Sequence, residues 1–88
     1  MEVQDYTRKF DIVDKHTETK EILASVYHSL KLKGYNPVNQ IVGYIMSGDP
    51  TYVTSHKGAR SKIMKVERDE LVEELLRDYI RHEIGRDV

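Results

Sequence analysis

The sequence predicts an all-α fold: a compact bundle of three to four short helices behind a disordered N-terminal tail, assembled as a homodimer. Three observations predict it. Apolar residues recur at helical spacing in residues 22–30 and again in residues 71–80. Two Gly- and Pro-containing breaks, Lys33-Gly34-Tyr35-Asn36-Pro37 and Ser47-Gly48-Asp49-Pro50, bracket a third apolar segment. Finally, a chain of 88 residues without cysteine has neither disulfides nor thiolate metal sites to staple it. A domain of this length buries only about 60–65% of its unfolded surface, and self-association is a common way to cover the shortfall.

Residues 1–16 carry Tyr6, Phe10, Ile12 and Val13 among charged residues, with no clean period. They read as a flexible regulatory tail, with residues 17–85 as the helical domain. The polar N-terminus lacks the apolar run of a signal peptide. The longest stretch without a charged residue, 34–48, is too short and too polar to cross a bilayer. A cytoplasmic protein without membrane insertion is expected.

The first helix is expected to start near Thr17, whose hydroxyl suits an N-cap, with Glu18 and Glu21 at the positive end of the helix dipole. Ile22, Leu23, Val26, Tyr27 and Leu30 then share one face, and Gly34 ends the helix in a left-handed conformation. Asn36 caps the second helix and Pro37 occupies its first turn, where a missing N–H costs nothing. Val38, Ile41, Val42, Ile45 and Met46 form its predicted buried face, and small Gly43 leaves room for another helix. Gly48 and Pro50 stop it.

Tyr52 and Val53 are expected to pin the next loop to the core. A third helix starts within residues 55–58 and carries Ile63, Met64 and Val66. A last helix carries Leu71, Val72, Leu75, Leu76, Tyr79 and Ile80, with Glu73, Glu74, Arg77 and Asp78 on a solvated face. No Gly or Pro separates Ser61 from Ile80, yet one helix over residues 58–83 would be about 39 Å long. That exceeds the width of so small a domain, so either a bend near residues 66–69 or a partner subunit covering the excess is expected. The apolar residues of the last helix exceed what one small core covers, which places the dimer interface there.

Catalytic and metal-binding patterns are missing. His16, His28, His56 and His82 form no H-x-x-x-H pair. No serine sits in a G-x-S-x-G turn, and the glycines are too scattered to cradle a phosphate. The chain reads as a non-enzyme without cofactors. Its net charge of −1 argues against a dedicated nucleic-acid binder. Charge is nevertheless uneven: residues 56–68 hold five Lys/Arg against one Glu, and residues 69–88 hold seven Asp/Glu against three Arg. A helix-turn-helix contacting phosphates through residues 56–68 is the alternative reading.

Thr7, flanked by Asp5, Tyr6, Arg8 and Lys9, is a segment a protein kinase could grip. A phosphate would add about −1.5 to −2 charges, with the basic 56–68 segment as its natural intramolecular partner.

Two long blocks are specific: Lys33-Gly34-Tyr35-Asn36-Pro37-Val38-Asn39-Gln40-Ile41-Val42-Gly43-Tyr44, and Ser47-Gly48-Asp49-Pro50-Thr51-Tyr52-Val53. With Ala59-Arg60 and residues 67–75, they make the chain resemble the IreB family of small regulatory phosphoproteins of Gram-positive bacteria over about residues 7–80. The resemblance implies a compact helical dimer. It implies a substrate of a PASTA-type transmembrane Ser/Thr kinase and its cognate phosphatase, acting in cell-envelope stress signalling and cephalosporin resistance. The family's phosphorylated threonine lies in a T-x-[RK]-F context, which Thr7-Arg8-Lys9-Phe10 matches. A second family phosphosite falls at Gln4, which cannot be phosphorylated.

Overall fold

The structure is a computed structural model. It describes the backbone of residues 2–85 and the side chains of residues 17–85. Four α-helices follow one another, α1 (Glu2–Leu32), α2 (Pro37–Ser47), α3 (Ala59–Ile63) and α4 (Arg68–Tyr79), and no strand occurs among the described residues. Short 3-10 turns at Pro50–Tyr52 and His56–Gly58 connect α2 to α3, and a π-helical turn, Ile80–Ile84, continues α4.

The all-α expectation holds, but the first helix is not short and does not begin at Thr17. Its backbone is helical from Glu2, over 31 residues. The reason is visible in the chain: residues 2–32 contain neither Gly nor Pro, so Thr17 has nothing to cap against and the hydrogen-bond ladder runs through it. The side chains of the expected tail, including Thr7, lie outside the described residues.

Helix ends follow local chemistry. Gly34, at φ 83°, closes α1, with the Tyr35 N–H donating to the Leu30 carbonyl at 2.9 Å. The Asn36 side chain accepts from the Asn39 N–H at 3.1 Å and starts α2. Gly48, at φ 76°, ends α2 by donating to the Tyr44 carbonyl at 2.7 Å. The expected bend also appears: α3 stops at Ile63, and α4 restarts at Arg68 after an extended Glu67 whose N–H donates to the Glu70 carboxylate at 3.3 Å.

The core gathers around α1, which packs on both α3 and α4. Ile22, Val26 and Leu30 of α1 meet Val53, Ala59, Ile63, Val66 and Leu71. Val53 is fully buried and pins its loop as expected.

Two predicted faces are corrected. On α2 the buried residue is Tyr44, whereas Val38, Val42 and Met46 are exposed and Ile41 and Ile45 half-buried. Gly43 admits the ring of Tyr52, not another helix. On α4 only Leu71 and Glu74 are buried, one helical turn apart, while Val72, Leu75, Leu76 and Tyr79 point outward. Glu74 therefore faces the core, not solvent, and Lys20 of α1 approaches its carboxylate at 3.9 Å. The physical reason is common to both helices. With α1 as the only long packing surface, each short helix meets it through a stripe about one residue wide, leaving the rest of its apolar face uncovered.

Candidate functional site

Three features are candidates for function: Thr7, the basic 56–68 segment, and the apolar faces of α2 and α4. Thr7 sits on the N-terminal half of α1 by its backbone, and its side chain lies outside the described residues.

The basic segment does not form a free cationic face. The Arg60 Nε–H is shared between the carbonyls of Pro50 (3.1 Å) and Val53 (2.8 Å), which ties α3 to the preceding loop. Arg68 Nη1 donates to the Ile45 carbonyl at 2.9 Å and joins α4 to the end of α2. Lys62 Nζ donates to Ser25 Oγ at 3.0 Å and joins α3 to α1. Three of the five cations are thus engaged in holding helices together. The five-residue α3 also buries Ala59 and Ile63, so it has no free face to lay into a groove of nucleic acid. The geometry removes the support for a helix-turn-helix reading.

In the loop before α3, a carboxylate is held by two hydrogen bonds to one residue. The Thr51 hydroxyl donates to Asp49 Oδ1 at 2.7 Å and the Thr51 N–H donates to the same atom at 3.0 Å. These two bonds, the hydroxyl's more than the amide's, hold the Asp49 carboxyl below its ordinary range against a smaller opposing desolvation, and the Arg60 charge adds the least. The role is a cap on the Pro50–Tyr52 turn.

Nothing resembling a catalytic or metal centre assembles among the described residues. No group of three or more His, Asp or Glu side chains is placed to hold a metal ion. His28 packs edge-on against Tyr27 at 5.3 Å, and His82 contacts Asp78 one turn earlier on the same helix. No helix among the described residues is long and apolar enough to cross a membrane.

Among the described residues, several large apolar side chains of α2 and α4 lie uncovered. Met46, Val38 and Tyr79 are 78%, 68% and 59% exposed. Such concentrations on a small protein mark interaction surfaces.

Residues 5–81 match the family model described as IreB regulatory phosphoprotein. The chain belongs to the IreB family. A relative described as a UPF0297 protein, from Acetivibrio thermocellus, is 64% identical over 74 residues, covering 84% of this chain and 82% of the relative. The IreB match includes Thr7 and extends through all of α2, α3 and α4. The family resemblance read from the glycine-bounded blocks is confirmed, and with it a regulatory role.

Sequence reasoning missed the buried Glu74 and the contact of Lys62 with Ser25. Residues 25 and 62 are 37 positions apart, and no periodicity reports on such a pair.

Proposed function

We propose that this IreB-family chain is a phosphorylation-controlled adaptor and not an enzyme. A PASTA-type transmembrane Ser/Thr kinase phosphorylates Thr7, a cognate phosphatase reverses it, and the cytoplasmic product modulates cell-envelope stress signalling and, with it, cephalosporin resistance. The observation that carries this reading is the family match beginning at Asp5, which includes the Thr7-Arg8-Lys9-Phe10 motif. Gln4 stands at the upstream position, so one phosphate per chain is expected.

The body acts as a homodimer scaffold. Support comes from the outward Val72, Leu75, Leu76 and Tyr79 of α4, which a second copy would cover. Incubation with the kinase domain, followed by mass spectrometry, tests the input. A single phosphate on Thr7 that disappears in Thr7→Ala is expected, and phosphorylation that persists unchanged in that variant contradicts the reading.

A further inference from the structure

Thr7 stands at the head of an acidic row on α1. Asp11, Asp14, Glu18 and Glu21 follow it at i+4, i+7, i+11 and i+14, a spacing that puts all five positions on one face of the continuous helix Glu2–Leu32. The positions next to Thr7 on the helix surface, three and four residues away on either side, are Val3, Gln4, Phe10 and Asp11. None is a cation. Arg8 and Lys9 adjoin Thr7 in sequence, but at i+1 and i+2 they occupy other faces while the helix persists. Two cations from outside α1, Lys62 and Lys65, share a groove with Glu18 and Glu21 at the far end of the row. Glu18 is eleven residues from Thr7, about 16 Å along the axis, which exceeds the screening length of about 10 Å at ordinary salt.

This stretch of helix rests on a narrow balance. The buried side chains that the structure describes on α1 run from Thr19 to Leu30. Residues 2–16 contain no Ala, Leu or Met. They carry instead the β-branched Val3, Thr7, Ile12 and Val13 and the acids Asp5, Asp11 and Asp14, all poorer helix formers. Thr7 is the sixth residue of α1, past the first turn in which the helix dipole favours an anion. We propose that phosphorylation of Thr7 unwinds the N-terminal half of α1. In the helix the phosphate adds about −1.5 to −2 charges one turn from Asp11. In an extended chain it lies beside Arg8 and Lys9 and farther from Asp11, so both changes favour the coil. The inference rests on the reading of Thr7 as the phosphorylated residue and says how that mark is read: as a loss of order in residues 2–16, with the body from Thr19 onward unchanged.

Full-length protein with phosphothreonine incorporated at position 7 during translation, compared with the unphosphorylated chain by backbone NMR, tests this without a kinase. In the unphosphorylated chain, residues 3–14 should show helical Cα chemical shifts. The phosphate should lower the helix–coil equilibrium constant of these residues at least about twofold, moving their shifts towards coil values and leaving residues 19–32 in place. The effect should shrink as salt rises. Asp11→Lys should reverse its sign, because an anion four residues N-terminal to a lysine is the favourable order on a helix. The phosphorylated form of that variant should then be more helical than its unphosphorylated form. Unchanged shifts on phosphorylation, an equal loss of helix in Asp11→Lys, or coil shifts already present in the unphosphorylated chain overturn the proposal. Because the phosphate is installed during translation, such a result leaves the kinase reading of Thr7 intact, and failure of kinase labelling leaves this measurement interpretable.

Discussion

The ring of Tyr52 lies across Gly43 so closely that a Cβ built on Gly43 would fall 2.5 Å from its Cδ1 and Cε1 atoms. A helix-interior glycine is normally a weakness of about 1 kcal/mol relative to alanine. Here it lets the loop after α2 fold back, an arrangement also held by the Gln40 Nε2–H donating to the Tyr52 carbonyl at 2.8 Å. Gly43→Ala should therefore destabilise the protein by about 1–2 kcal/mol, through the displaced ring. In a Tyr52→Ala background the same change should stabilise by about 0.5–1 kcal/mol. Chemical denaturation of the four proteins of this cycle reads out the sign reversal, and its absence would show that the ring does not set the requirement.

Gly48 and Gly34 both adopt positive φ, yet they differ in surroundings. A Cβ at Gly48 would lie 2.9 Å from the Arg68 guanidinium carbon, whereas nothing lies within 4 Å of one at Gly34. Gly34→Ala should cost about 1 kcal/mol of backbone strain alone. Gly48→Ala should cost more, because Arg68 must also leave the Ile45 carbonyl. Comparing the two melting temperatures checks the order.

Leu71 is fully buried and is the only apolar residue of α4 that is. Leu71→Ala should cost about 2–5 kcal/mol, a large part of the total stability of a domain this size. A fall in melting temperature of about 10 °C or more is expected in calorimetry.

Leu76, more than half exposed, should behave in the opposite way. If a second copy covers α4, Leu76→Asp should leave the circular dichroism spectrum intact while raising the dimer dissociation constant at least about tenfold. Light scattering at micromolar concentration measures this. A wild-type chain that is monomeric there, or a variant that remains fully dimeric, removes the α4 interface.

The lowered pKa of Asp49 has a definite sign. A depressed carboxylate stabilises the fold above its unfolded pKa, and that contribution is lost as pH falls from about 4 through the folded value. Thr51→Val removes the strongest of these influences, the hydroxyl bond. In a side-chain NMR titration the Asp49 midpoint should rise towards the ordinary aspartate value, and the acid sensitivity of the Pro50–Tyr52 turn should diminish with it.

Local chemistry was legible in the sequence because it acts over a few residues. Gly34, the Asn36–Pro37 start, the Gly48 stop and the bend between α3 and α4 all appear where the residues placed them. The motif blocks that carry the family resemblance were legible for the same reason. The start of α1 was misread because a favourable capping residue, Thr17, does not interrupt a run with no helix breaker. Only the tertiary structure decided which side of α2 and α4 faces the core. An apolar stripe says that a face seeks cover, and its neighbours decide whether it finds any. Tyr44 and Glu74 went inward because α1 and the loop at Val53 approach from their side, leaving Val42, Met46, Leu75 and Leu76 outside. The same long-range packing brought Lys62 to Ser25, 37 positions away along the chain.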